Sequence, residues 1–146
     1  MRSKLLISSA VLMFAMAACA GAPASTPTPA GPQVVNVELT NFGFKFTPGT
    51  VKPGAVKFVV KNASPDTMHE LLLVKTDLAL DKLPLDGEKN IDEEARGLTE
   101  VGAVEDVDPG QGGEMAVTLQ PGRYVYFCNK PGHYLLGMRG EFNVAP

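Results

Sequence analysis

From Gln33 onward the apolar positions recur at every second residue. Val35, Val37 and Leu39 share one face of the stretch 33–40, and Phe42, Phe44 and Phe46 carry the same period into the next. A two-residue period predicts strands with one buried face. Thr47-Pro48-Gly49 and Lys52-Pro53-Gly54 are turn signals on either side of a short strand around Val51. Further strands are predicted over 55–61, 70–75, 101–107, 114–119, 124–128 and 139–144. About eight short strands with no helical alternation predict an all-β fold, an antiparallel β-sandwich or barrel. No internal repeat is visible.

One stretch breaks the pattern. Residues 77–100 hold Asp77, Asp81, Asp86, Glu88, Asp92, Glu93, Glu94 and Glu100 against only Lys82, Lys89 and Arg96. It is expected to be a long solvated loop or flap over one edge of the sandwich, with a short helix at 91–96. A second reading makes it an acidic docking face for a basic partner.

The first residues do not belong to the fold. Arg2 and Lys4 form a positive start, an uncharged apolar run follows over 5–18, and small residues surround Cys19. This is the pattern of a secretory signal peptide over 1–18, and the run is short for a membrane span. Two cleavage patterns fit. Ala18-Cys19-Ala20 suits an ordinary signal peptidase, whereas Met16-Ala17-Ala18-Cys19 resembles the bacterial lipobox, in which the cysteine becomes the acylated first residue. The lipoprotein reading is preferred, because acyl chains supply membrane affinity and the next segment suits a tether. Residues 19–32 are rich in Pro, Ala and Thr, and read as a semi-stiff linker. The folded domain is expected to span 33–146.

Composition adds limits. The 146-residue chain carries a net charge of -3, which gives no basic face for nucleic acid. It has two cysteines and two histidines. A Cys19–Cys128 disulfide is disfavoured, since one partner sits on the leader and the other in a strand-like run.

The chemistry concentrates near the C-terminus. Cys128, His133 and Met138 stand five and five residues apart, with the turn pair Pro131-Gly132 between the first two. A strand ends at the cysteine and another begins after the methionine, so the loop can bring a thiolate, an imidazole and a thioether to one end of a sandwich. His69, the other histidine, opens a strand and completes the set. Two His and one Cys with a weak axial Met are the ligands of an electron-transfer copper site.

These residues resemble the cupredoxin (blue-copper) family, the single-domain carriers of plastocyanin, azurin, auracyanin and sulfocyanin type. The C-x4-H-x4-M loop and the upstream His69 carry the resemblance, which covers about 33–145. It implies a Greek-key β-sandwich, one type 1 copper per chain held by His69, Cys128, His133 and Met138, and one-electron transfer between redox partners. The family often follows its first His with Asn, which ties the ligand loops together. Here Glu70 stands in that place, so the tie is expected from Asn62, Thr67 or Asn129. Pro131, Gly132, Tyr134, Leu135 and Leu136 are expected to form an apolar collar around His133 for partner docking.

Rival functions fit less well. Multicopper enzymes need further histidines that the chain lacks, structural zinc does not use a thioether, and no enzymatic activity is expected. A copper-delivery protein is the alternative, but such carriers favour open, exchangeable sites. The chain is thus expected to be an exported carrier, periplasmic or at the cell surface, held to a membrane by its N-terminal lipid.

Overall fold

The computed structural model describes residues 31–145. The leader, Cys19 and all of the linker before Gly31 lie outside these residues. Eight strands follow in chain order: β1 Gln33–Thr40, β2 Gly43–Thr47, β3 Gly54–Asn62, β4 His69–Lys75, β5 Thr99–Val107, β6 Gly112–Leu119, β7 Gly122–Phe127 and β8 Arg139–Val144. They form two four-stranded sheets, ordered β2-β1-β3-β6 and β5-β4-β7-β8. Every predicted strand is present except the short one around Val51. Val51 forms an isolated parallel bridge to Val144 instead of a strand of its own. The expectation of a fully antiparallel sandwich needs one change, since β1 and β3 pair in parallel.

Alternation explains the core. Val35, Val37 and Leu39 of β1, with Val56, Phe58 and Val60 of β3, point inward against Leu71 and Leu73 of β4. Full burial of each such side chain is worth about 1.5–3 kcal/mol. Phe46, Phe58 and Phe142 pack together there, with ring centroids 5.5–6.3 Å apart.

β4 does not alternate, because all its residues from His69 to Val74 are buried. Leu72 and Val74 face outward into a second cluster with Leu83, Ile91, Val125, Phe127 and Tyr134. The acidic segment supplies the cover. It therefore lies over the outer face of the second sheet, not over an edge. Residues 91–96 form turns, not the expected helix, and the only helical turn among the described residues is a 3-10 turn at Leu80–Lys82. Its apolar residues Leu78, Leu80, Leu83, Ile91 and Leu98 hold the segment down while its charges stay in water.

Topology gathers four connections at one end of the sandwich. β4 begins, and β5 and β7 end, at this end, with β7 antiparallel to β4 and to β8. His69 is the first residue of β4, Cys128 follows the last of β7, and Met138 precedes the first of β8.

Candidate metal centre

The loop between β7 and β8 is built by its own backbone. The Cys128 amide donates to the Met138 carbonyl at 3.1 Å, and the Met138 amide donates to the His133 carbonyl at 3.0 Å. Between them His133 donates to Lys130, Leu136 to Gly132 and Gly137 to Tyr134. Gly132 at φ 80° and Gly137 at φ 102° take the left-handed conformations that these tight turns need. His69 is presented by a second built loop. Asn62, fully buried, donates through Nδ2 to the carbonyls of Thr67 and Val107, both at 2.8 Å, and accepts from the Ser64 amide at 2.9 Å.

His69, Cys128 and His133 come together. The ligand atoms of the three lie within 4.8 Å of one another. His69 Nδ1 is 3.3 Å from His133 Nδ1, and Cys128 Sγ is 3.2 Å from the same His133 atom. His69 and Cys128 are fully buried, while His133 is half-buried and reaches toward the surface. Met138 is fully buried in the same core cluster as Cys128. Cys128 is a free thiol among the described residues.

This donor set fits copper. Two imidazole nitrogens and a sulfur converge as neutral or anionic donors around one point, which suits a soft-to-borderline metal. Electrostatics agree with that use. Burial pushes the pKa of His69 down, and the neighbouring His133 pushes it further down. Burial also lowers the His133 pKa, so both rings favour the neutral form that binds metal. Burial raises the Cys128 thiol, while the backbone amides of Lys130 and Glu70 approach the sulfur and pull the other way. A metal must displace the thiol proton, so binding weakens as pH falls. His69 Nε2 is buried without a hydrogen-bond partner, so no bond at that nitrogen fixes the ring.

The tie between the ligand loops comes from Glu70, the residue that departs from the usual Asn. Glu70 Oε1 accepts the Asn129 amide at 2.8 Å, and Oε2 lies 3.0 Å from Lys130 Nζ. Lys130 also pairs with Asp106. Of the three residues expected to supply the tie, Asn62 and Thr67 brace the loop before His69. The Asn129 side chain turns outward to the acidic segment, where it bonds both backbone groups of Ile91 and the Glu93 carboxylate. The signal was present in the sequence: Glu70 is the one charge in an otherwise buried run.

Glu93 supplies a pH test. Burial raises its pKa above the ordinary 4.5, its Asn129 bond lowers it, and the charges of Glu70, Glu100 and Glu105 raise it. A raised carboxyl pKa means that ionisation favours the unfolded chain. The stability tied to the neutral form is complete below 4.5 and is lost as pH rises through the folded-state value. Glu93→Gln keeps an oxygen for Asn129 and does not titrate. Urea unfolding of the variant should show a stability gain over wild type that appears as pH rises from acid to neutral. A gap of equal size at all pH values would contradict this.

The residues expected to form an apolar collar differ in exposure. Pro131, Leu135 and Leu136 are exposed, Leu136 at 63%. Tyr134 is buried instead. Its ring is 3% exposed, packs edge-on against Phe127 at 6.1 Å, and its hydroxyl donates to the Leu80 carbonyl. Phe42 and Met68, which sequence reasoning did not assign to the collar, are also exposed at this end. The Phe42 ring stands edge-on to His133 at 6.1 Å.

A family model for copper binding proteins of the plastocyanin/azurin family matches residues 33–145. The chain therefore belongs to the plastocyanin/azurin family of cupredoxins. Auracyanin-B from Chloroflexus aurantiacus is 44% identical over 41 residues, which are 27% of this chain and 17% of that protein's length. The solved structure of dithionite-reduced auracyanin from Roseiflexus castenholzii superimposes with a TM-score of 0.59 at 24% identity, covering 80% of this chain and 100% of the other. Auracyanin A from Chloroflexus aurantiacus, described as a "blue" copper protein, gives 0.53 at 23%, over 78% and 99%. At these identities the likeness establishes the fold. With the family and the convergent His69, Cys128 and His133, it defines a single-metal site consistent with one type 1 copper.

Proposed function

We propose that this chain is a one-electron carrier that retains its copper, which His69, Cys128 and His133 would hold with Met138 as a fourth ligand. The observation that carries this reading is the convergence of His69 Nδ1, Cys128 Sγ and His133 Nδ1 at the buried end of a stiff sandwich. When bound, copper supplies the exchangeable electron, cycling between its two oxidation states. The residues of the chain hold the donors in place, exclude water from the sulfur and leave His133 as the nearest ligand to the surface. Binding by Met138 is supported by its burial beside Cys128 and by the two backbone bonds that fix it to Cys128 and His133.

Export and membrane attachment through a lipidated Cys19 belong to the same proposal. They rest on the leader and on the lipobox-like sequence. Metabolic labelling with a fatty acid should tag the wild-type chain and spare Cys19→Ala. Unlabelled wild type would remove the anchor.

Copper delivery remains the rival. It requires copper to leave readily, and the full burial of His69 and Cys128 disfavours that.

Donor and acceptor proteins are expected to dock on the apolar rim of Pro131, Leu135 and Leu136, where the route to His133 is shortest. Leu136→Asp should slow electron exchange with a physiological partner by about tenfold, a charge in an apolar contact costing on the order of 1.4 kcal/mol. Visible spectrum and melting temperature should stay unchanged, since the side chain is exposed. Unaltered exchange, measured by stopped-flow, would remove this surface from docking.

A further inference from the structure

The residue that follows each expected ligand is itself anchored. Glu70, after His69, bonds the Asn129 amide and Lys130. Asn129, after Cys128, is bound on both sides of its amide: its Oδ1 accepts from the Ile91 amide at 2.6 Å, and its Nδ2 donates to the Ile91 carbonyl at 2.9 Å and to Glu93 at 2.7 Å. Tyr134, after His133, is bonded to Leu80. Arg139, after Met138, places its guanidinium 4.4 Å from the centre of the Tyr134 ring.

Glu70 is the hub. It is 6% exposed, so its charge needs compensation, and Lys130 provides it. The β4–β5 ladder bulges at this point, setting two residues of β5 against Glu70, and Asp106 takes φ 49° there. The bulge turns the Asp106 carboxylate to the other side of Lys130 Nζ. The Asp106 bond first, and the Glu70 bond after it, hold Lys130 charged by raising its pKa. The Glu70–Lys130 ion pair, with the Glu70 bond to the Asn129 amide, spans from β4 to the two residues that follow Cys128.

We propose that Glu70, Asn129 and Lys130 are positioning residues, which clamp the Cys128 loop to β4 on one side and to the 76–98 segment on the other, fixing the sulfur before metal enters. This deepens the copper-carrier reading and rests on it. The acidic segment thereby has a definite role as a brace of the metal centre. A family-type Asn after His69 would supply the tie without the charge, and the ion pair adds a link across the loop that a neutral amide lacks.

The test compares Asn129→Ala, Lys130→Met, Glu70→Gln and Glu70→Ala with wild type. Lys57→Met serves as a control, since it breaks the Lys57–Glu114 pair on the other sheet. Two rates are read: alkylation of Cys128 by iodoacetamide in metal-free protein, and release of copper to a chelator from loaded protein. Asn129→Ala and Lys130→Met should raise both by about tenfold, the usual effect of removing a group that orients a metal ligand. Glu70→Gln, which keeps an acceptor for the Asn129 amide, should lie closer to wild type than Glu70→Ala. The reduction potential should fall in Lys130→Met, where a positive charge near the site is lost. Both rates within about twofold of wild type and of Lys57→Met would overturn the clamp. If Glu70→Ala does not fold, Asn129→Ala and Lys130→Met decide the matter. A wild-type protein that binds copper without an intense blue band would defeat the copper-carrier reading, whereas the alkylation rates in metal-free protein report on the clamp itself.

Discussion

Cys128→Ser is expected to abolish the intense visible absorption of the copper-loaded protein and to weaken copper retention by at least about a hundredfold, the upper range already seen when only a supporting group is lost. The colour of such a site comes from charge transfer out of a thiolate, and Cys128 is the one cysteine in the folded domain. Serine oxygen is hard and does not ionise near neutral pH, so it offers neither the orbital nor the charge. The fold should survive. Ser is close to Cys in size, and burying its hydroxyl among Phe127, Met138 and the two histidines should cost about 1–3 kcal/mol. Visible spectroscopy and chelator competition on the variant check both halves. A blue Cys128→Ser protein would contradict the assignment of the sulfur ligand.

The largest loss of stability away from the ligands is expected at Asn62→Ala. The side chain is fully buried and serves Thr67, Val107 and Ser64 at once. Truncation takes this side chain from the Val107 carbonyl and the Ser64 amide, each costing about 1–3 kcal/mol when left unpaired, and leaves the Thr67 carbonyl with the Ser64 hydroxyl alone. Water can enter from the exposed neighbours Ala63 and Pro65, so the net cost should be about 3 kcal/mol, a large share of the stability of a domain this size. The effect also reaches function, because this side chain shapes the loop that delivers His69. Urea unfolding of metal-free protein should show the loss, and copper retention should fall with it. A variant within about 0.5 kcal/mol of wild type would mean that the buried bonds are replaced without cost.

Most of the architecture was legible because strand burial writes itself into the chain at every second residue. Val35, Val37 and Leu39 mark β1 this way, as Ala55 to Lys61 mark most of β3. The signal failed where both faces of a strand are covered. Leu71 to Val74 read as an apolar run, and nothing local says that Leu72 and Val74 face a cover drawn from residues 78–98. That cover looked like a solvated acidic loop because its charges outnumber Leu83 and Ile91, the residues that hold it down. The parallel pairing of β1 with β3 is a long-range arrangement that alternation does not encode. At the site, the order and spacing of Cys128, His133 and Met138 named the chemistry, and the convergence of His69, Cys128 and His133 accords with it. The supporting groups were harder to read. Glu70 looked like a departure because the family comparison supplied only the idea of an amide tie, whereas its partners Asn129 and Lys130 lie 59 and 60 residues away in the chain. Tyr134 looked like surface because its neighbours are surface. Its ring is turned under the loop by Leu80 and Phe127, which no local pattern announces.

The most direct test of the carrier reading is a redox cycle of the copper-loaded wild-type protein, followed by visible absorption in the presence of a mild copper chelator. An intense blue band is expected that a reductant bleaches and an oxidant restores over repeated cycles, with copper remaining at one per chain. Loss of copper to the chelator on the first reduction, or a pale protein from the start, would contradict a retained electron-transfer site and favour copper delivery instead.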